Sequence, residues 1–220
     1  MKTVLTKELF SLENTLAASL FEESVYPFDV LPKIADFIVS LSATLDKEKF
    51  SEISPGVFAA KSAKIAKSAS IEGPCIIDEG AEIRHCAFIR GKVIIGKNCV
   101  VGNSTELKNS VLFDNVQVPH YNYVGDSVLG YRSHMGAGSI TSNVKSDKTP
   151  VVIKSDEPIK TGLKKVGAFL GDGVEIGCGS VLNPGTVIGK NSSVYPLSSV
   201  RGVISSDSIY KNQGEVAKRV

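Results

Sequence analysis

The chain has 220 residues, 42% of them hydrophobic, enough for one domain with a sizeable core and a modest extension. Only 7% are aromatic and none is Trp, a poor supply for a core of large rings, whereas 20 glycines suit a turn-rich all-β chain. A net charge of +2 argues against nucleic acid, no run of 18 apolar residues offers a membrane span, and the first 25 residues lack a leader pattern, so a soluble, cytoplasmic chain is expected.

In chain order, residues 5–46 carry helical patterning. Leu9, Phe10, Leu12, Leu16 and Leu20 suit one amphipathic face. Leu31, Ile34, Ile38 and Leu41 suit another, with Pro32 near a helix start and Pro27 and Asp29 at the turn between them. Residues 1–50 are expected to be a helical cap over the open end of the remaining domain.

From Ile65 every sixth residue is a large aliphatic: Ile65, Ile71, Ile77, Ile83, Ile89, Ile95, Val101 and Leu107. A second register runs Leu170, Ile176, Leu182, Ile188, Val194 and Val200. Several are followed by glycine, as in Val101-Gly102 and Ile176-Gly177. A period of six fits neither a 3.6-residue helix nor plain alternation. Six residues make a short strand and a corner, with the aliphatic inward and the glycine easing the bend. Stacked coils then bury one another, and each inward aliphatic contributes about 1.5–3 kcal/mol. A parallel β-helix over 51–204 is expected; a β-sandwich, with strands and loops of varied length, fits the unbroken count poorly. General chirality rules favour right-handed crossovers, and the spacing does not overturn them.

The two registers do not join, because Leu107 and Leu170 are 63 residues apart, not a multiple of six. The interruption is expected as a loop or hairpin insertion at about 142–165, rich in Lys, Asp, Pro and Gly, where 150–153 can pair with a later strand. Long loops in compact domains are often functional. The tail, 205–220, reads as a short helix laid along the coil.

Cys75, Cys86, Cys99 and Cys178 form no C-x-x-C pair, which argues against a zinc knuckle or a redox pair. Cys75, Cys86 and Cys99 read as small core residues. His85, His120 and His134 are the only histidines. Together they offer a metal site with an open position; singly, one offers a general base and any can be a solvated surface residue. His85 and His134 lie close to inward aliphatics, at corner-like positions. His120 follows Pro119 in Val118-Pro119-His120-Tyr121-Asn122-Tyr123-Val124-Gly125-Asp126, where the six-residue register lapses. Function is expected where a local rule breaks.

Residues 57–203 resemble the hexapeptide-repeat acyltransferases with a left-handed β-helix. They are most similar to the acetyltransferase domain of bifunctional uridylyltransferase/glucosamine-1-phosphate acetyltransferases and its archaeal sugar-1-phosphate nucleotidylyltransferase/acetyltransferase relatives. Four runs carry the resemblance: Glu106-Leu107-Lys108-Asn109-Ser110; His120-Tyr121-Asn122-Tyr123-Val124-Gly125-Asp126; Met135-Gly136-Ala137-Gly138-Ser139-Ile140-Thr141-Ser142-Asn143; and Thr161-Gly162-Leu163-Lys164-Lys165-Val166-Gly167-Ala168. The last run is closest to the archaeal branch.

The resemblance implies acetyl transfer from acetyl-CoA to the amine of glucosamine-1-phosphate or galactosamine-1-phosphate, with no metal required. It implies that His120 is the general base and that Tyr123 and Asn143 hold the sugar and the tetrahedral intermediate. Arg90 and Lys108 match the pair that grips the sugar phosphate, and Lys148 is a looser match in the following loop. Ala137 matches a backbone position beside the thioester carbonyl, and Arg201 a contact to coenzyme A phosphate. A homotrimer is implied, with the acyl site between neighbouring coils.

The departures are Val144 where the bacterial pattern has Tyr and His134 where it has Asn, which leaves the amino sugar open. Residues 1–60 hold no Gly-rich nucleotide loop, so a nucleotidylyltransferase activity is not expected of this chain. Two alternatives stand beside the enzyme: a non-catalytic or regulatory β-helix module, and a hydratase resembling the β-helical carbonic anhydrases, whose closely spaced second and third histidine ligands the 14-residue step from His120 to His134 does not match.

Overall fold

Coils of three short strands joined at three corners wind the chain from Val57 to Tyr210 in the computed structural model, which describes residues 2–211 and 214–219. Face 1 stacks Val57–Ala60, Cys75–Ile77, Val93–Ile95, the ends of Glu106–Leu112 and Tyr123–Leu129, then Ala168–Leu170, Thr186–Ile188 and Val203–Ile204. Face 2 runs from Lys64–Ile65 to Ser208–Tyr210 as parallel strands. Face 3 runs from Ser70–Glu72 through Phe88–Arg90, the starts of Glu106–Leu112 and Tyr123–Leu129, to Ser199–Val200. This is the left-handed parallel β-helix that the resemblance implies, with the six-residue aliphatics pointing inward. Ile77, Ile83, Ile89, Ile95, Val101 and Leu107 are all buried.

The register breaks for two reasons. Successive coils are offset by 18 residues at Cys75↔Val93 but by 17 at Val93↔Ser110 and Ser110↔Ser127. The step Val128↔Phe169 is 41 residues, which is one 18-residue coil and 23 more. The extra residues leave face 3 after Thr141 and pair Val152–Ile153 with Ile159–Lys160 antiparallel. They return where the Val166 amide donates to the Asn143 carbonyl (3.0 Å) and the Gly167 amide to the Asp126 carbonyl (2.7 Å).

The glycines after the aliphatics serve a different end from the one expected. Gly102 and Gly136 have ordinary φ values. A Cβ at Gly102 would lie 1.5 Å from the Pro119 carbonyl oxygen, and one at Gly136 would lie 2.7 Å from the Cys178 nitrogen. These glycines let the next coil approach. The left-handed bend falls two residues later, at Ser104 (φ 53°) and Gly138 (φ 69°). Asn98, Asn115 and Asn191 take the same conformation at other corners, as Asn tolerates.

Every strand residue is buried in Cys75–Ile77, Val93–Ile95, Ala168–Leu170 and Thr186–Ile188. Face 1 is therefore covered outside as well as inside. Its cover is the N-terminal segment, and this corrects the expected cap. The helix Ile34–Ser42 lies against Cys75–Ile77, Val93–Ile95 and Glu106–Leu112, in the flank of the coil and not across its end. The expected first amphipathic helix is also broken, into Thr6–Leu9, Leu12–Asn14 and Ala18–Leu20. Its backbone is spent on the coil: the carbonyls of Leu9 and Asn14 accept from the Asp172 and Asp114 amides, both at 3.0 Å. Ser11 donates its amide and hydroxyl to the Asp172 carboxylate, and Phe10, Phe21 and Phe113 pack with centroids 5.1–5.9 Å apart.

The edges are closed by strands. Phe50–Ser54 pairs antiparallel with Val57–Ala60 at the first coil. Ser208–Tyr210 pairs antiparallel with Val216–Lys218 at the last, so the tail expected as a helix is a hairpin, because the open edge supplies ladder partners that a helix would leave unpaired. Residues 212, 213 and 220 of that tail lie outside the described residues. Cys75 and Cys99 are core residues, and burial pushes the Cys75 thiol up to about 12. Cys86 is not a core residue: it is exposed, at a left-handed corner (φ 55°). No helix among the described residues is long and apolar enough to cross a membrane.

Candidate active site

The corner between faces 3 and 1 collects charge. Leu107 pairs with Ile89 and Lys108 with Gly125, so Arg90, Lys108 and Gly125 form one column at the edge of face 3. Arg90 Nη1 lies 2.7 Å from Glu106 Oε1, with the guanidinium 5.9 Å from the Phe88 ring centroid. Lys108 Nζ reaches both carboxylate oxygens of Asp126, at 3.0 and 3.2 Å. Asp126 is only 3% exposed and holds a left-handed backbone (φ 49°). It also accepts from Asn109 Nδ2 (2.9 Å) and from Asn143 Nδ2. Three donors thus converge on one buried carboxylate, which offsets the cost of taking its charge out of water.

Asn143 Nδ2 also donates to the Tyr123 hydroxyl at 3.1 Å. The Tyr123 ring lies over Gly125, where a Cβ would come within 2.4 Å of that hydroxyl. Burial pushes the Tyr123 phenol up, and the Asp126 and Glu106 carboxylates push the same way against the Asn143 bond. The hydroxyl therefore keeps its proton and can donate it. Beyond Lys108 a cleft of about 540 Å³ opens, lined by Arg90, Lys92 and Lys108 from the coil and by Lys164 and Lys165 from the excursion.

The corner between faces 2 and 3 carries His120. Here the Ser104, Tyr121, Gly138, Gly179 and Leu197 amides donate to the carbonyls of His85, Asn103, His120, Ala137 and Cys178, an unbroken ladder from coil to coil. Asn122 pins the turn. It is buried, accepts the His120 amide at 3.0 Å, and donates to the Gly136 carbonyl (2.8 Å) and to Ser139. His120 and Ala137 are thereby fixed on adjacent coils. The His120 ring is exposed and has no hydrogen-bond partner among the described residues; the Ala137 amide likewise has no acceptor there.

Tyr123, Asn143, Lys108 and, through Glu106, Arg90 come together. His120 does not touch them within the chain. It stands at the opposite edge of face 3, before the left-handed turn at Tyr121 (φ 51°), with Tyr123 between. Lys148 is exposed on the excursion, outside the cleft. Arg201 lies elsewhere as well, donating to Asn183 Oδ1 at 3.0 Å beside a smaller hollow near Lys145. The other histidines are held apart: His85 Nδ1 contacts Ser68 Oγ (2.7 Å) and His134 Nδ1 contacts Glu175 Oε2 (2.8 Å). Among the described residues no three His, Cys, Asp or Glu side chains are grouped to hold a metal ion.

Sequence reasoning missed Asp126, Asn122, Glu106, Lys92, Lys164 and Lys165 as site residues. A signal existed for Asp126, which follows Lys108 by 18 residues, the interval that separates Lys108 from Arg90. The lysines of the excursion gave none, since their place depends on how that excursion folds back.

Residues 71–163 match the family described as the GMPPB C-terminal domain. The chain is 35% identical over 174 residues to the bifunctional protein GlmU of Methanococcus aeolicus, covering 70% of this chain and 42% of that protein. It is 32% identical over 159 residues to a bifunctional sugar-1-phosphate nucleotidylyltransferase/acetyltransferase of Sulfurisphaera tokodaii, covering 64% and 40% respectively. The chain thus spans less than half the length of these curated relatives. A solved structure of a hexapeptide transferase family protein from Anaplasma phagocytophilum is 16% identical, with a TM-score of 0.42 over 75% of this chain and 81% of that one.

Proposed function

We propose that this chain, which belongs to the hexapeptide-repeat family of β-helices, transfers an acetyl group from acetyl-CoA to the amine of an amino-sugar 1-phosphate, glucosamine-1-phosphate or galactosamine-1-phosphate. The observation that carries this reading is the column of Arg90 and Lys108 beside the Tyr123–Asn143–Asp126 network, on the face whose far edge presents His120. Guanidinium and ammonium groups converge there as a phosphate dianion requires. Tyr123 and Asn143 offer a hydroxyl and an amide to sugar hydroxyls.

His120 takes the proton from the amine as the nitrogen attacks the thioester carbon, since only a neutral amine is a nucleophile. The Ala137 amide donates to the carbonyl oxygen as it becomes an oxyanion. Collapse breaks the carbon–sulfur bond, and the thiolate leaves with the proton from the imidazole, giving coenzyme A and the N-acetylated sugar. In this reading Arg201 contacts a phosphate of coenzyme A and Lys148 the sugar substrate. A homotrimer fits this reading, because the corner column that carries His120 also exposes Tyr121 beside it and Leu197 three coils along (62% and 84%). The relative named as a bifunctional sugar-1-phosphate nucleotidylyltransferase/acetyltransferase supports acetyl transfer.

The test is release of thiol with acetyl-CoA and both amino-sugar phosphates. The expected outcome is turnover that falls about 10²–10⁴-fold in His120→Ala, with little change in KM. Equal turnover in the variant refutes the role. A second reading, a non-catalytic β-helix module, is favoured by the unpartnered His120 ring; absence of coenzyme A binding by calorimetry would establish it.

A further inference from the structure

The residue just before each face 3 strand is buried at the turn between faces 2 and 3. By register this column reads Ala87, Thr105, Asn122, Ser139, Ser180 and Ser198. Alanine or one small hydroxyl therefore closes the turn on every one of these coils except that of Asn122. Each hydroxyl donates to a single carbonyl, of its own turn or of the next coil: Thr105 to Val118, Ser139 to Gly136, and Ser180 and Ser198 to Tyr195. The one amide stands on the coil that carries His120. A departure from the local rule is where function is expected.

Asn122 joins two turns at once. Its oxygen accepts the His120 amide at 3.0 Å, within its own turn. Its NH2 group donates to the carbonyls of Gly136 (2.8 Å) and Ser139 (3.1 Å), which flank Ala137 and Gly138 on the next coil. The Gly138 amide donates back to the His120 carbonyl at 3.0 Å. The His120 backbone is thus held at both its N–H and its carbonyl to the turn that carries Ala137. Every polar atom of the Asn122 side chain has a partner, the partners are uncharged, and the residue is 2% exposed. It has no surface left with which to touch a substrate. Whatever it does for chemistry it does through the two turns it joins, and a buried network with every group satisfied is rigid.

We propose that Asn122 is a positioning residue for acetyl transfer: it sets the place of the His120 imidazole, which takes the proton of the amine, against the Ala137 amide, which receives the oxyanion. The inference rests on the acetyl-transfer reading. Both groups serve one tetrahedral carbon in one step, so an error in their relative placement acts on the rate of that step and not on the binding of either substrate.

The experiment compares the full chain with Asn122→Ser and Asn122→Asp, using acetyl-CoA with glucosamine-1-phosphate and with galactosamine-1-phosphate. Asn122→Ser gives this coil the hydroxyl its neighbours have, so the turn closes, but the link between the two turns is lost. Its kcat is expected to fall about tenfold or more, with KM for both substrates changed by less than about twofold. Asn122→Asp keeps the shape. Its ionised form turns an acceptor toward the Gly136 and Ser139 carbonyls and its protonated form a donor, and burial without a cation favours the protonated form. The kcat of Asn122→Asp relative to the parent chain is therefore expected to rise as pH falls from about 8 to about 6, although protonation of the general base slows both. Ser198→Ala, three coils further along the same column, is the stability control, expected to lower Tm and to leave kcat unchanged. Parent-like kcat in Asn122→Ser, a relative rate of Asn122→Asp that is flat with pH, or an equal loss of kcat in Ser198→Ala overturns the positioning role and leaves the acetyl-transfer reading in place. No turnover by the parent chain with either phosphate refutes that reading and the positioning role with it.

Discussion

Asp126 is the side chain on which the candidate site is assembled, and Asp126→Asn is the substitution that tests this. The carboxylate lies 3.0 Å from Lys108 Nζ, with 5% of its side chain exposed against 22% for the lysine. At that distance the direct attraction is about 5 kcal/mol for an effective dielectric near 20. Asparagine keeps the shape and tolerates the left-handed backbone, so neither packing nor strain changes. It also avoids the cost of burying a charge, which cancels about half of that attraction. Against this, its amide group turns a donor toward Lys108, Asn109 or Asn143, which are donors themselves. A net loss of about 2–3 kcal/mol follows, which for a chain of this length is about 5–10 °C in Tm. Thermal unfolding followed by circular dichroism measures it. Glu82→Gln is the control, because the Glu82–Arg84 pair is exposed and its loss should cost under about 0.5 kcal/mol. If Asp126→Asn melts within a degree of the parent chain, the three donors do not depend on the carboxylate and the account of the site fails.

Two further outcomes concern the coil itself. Asp78 is 1% exposed, its Oδ2 has no partner among the described residues, and burial raises its carboxyl above the ordinary range. The folded chain therefore holds this proton to higher pH than the unfolded chain does, and stability falls as pH rises through the window between the two values. Asp78→Asn should gain about 1 kcal/mol at neutral pH and flatten that slope in urea unfolding between pH 4 and 7; an unchanged slope refutes the assignment. Gly102→Ala should cost about 3 kcal/mol or more, because its Cβ would meet the Pro119 carbonyl at 1.5 Å and neither backbone can yield without moving the His120 corner; near-parental urea unfolding would show that the coils are not so closely stacked.

The winding was legible because inward positions repeat their chemistry, and Ile77, Ile95, Leu112 and Leu129 announce themselves at any count near six. The covering of face 1 was written there too, in the continuous runs Cys75-Ile76-Ile77, Val93-Ile94-Ile95 and Ala168-Phe169-Leu170, which lack the polar alternate of a solvent-facing strand. It went unread because the count attended to every sixth residue and not to Ile76, Ile94 and Phe169 between them. The broken N-terminal helix was not legible. Its apolar spacing is helical, but the bonds that end it, from Leu9 and Asn14 to coil amides, depend on contacts more than a hundred and about a hundred residues away in sequence. In the site, the Arg90–Lys108 column followed from coil length, whereas the place of Lys164 and Lys165 in the cleft required the fold of the excursion.

Coil length also decides where chemistry can sit on a solenoid. An inward position is committed to the core, and an outward position on face 1 is committed to the N-terminal segment. The corner between faces 1 and 2 is also occupied: Asp114 and Asp172 spend their amides on that segment, and Asp172 its carboxylate on Ser11 and Lys190. Faces 2 and 3 and the edges of face 3 remain, and the candidate site residues lie at those two edges. One edge is polar because Asp126, at a left-handed corner, draws Lys108, Asn109 and Asn143 to it. The other is open because Asn122 satisfies the turn internally and leaves the His120 ring unclaimed. The 17-residue coils therefore break the repeat that identifies the fold at the corner that carries Asn109 and Asp126, both left-handed. The excursion after Thr141 leaves at that same edge and supplies Lys164 and Lys165 to the cleft there.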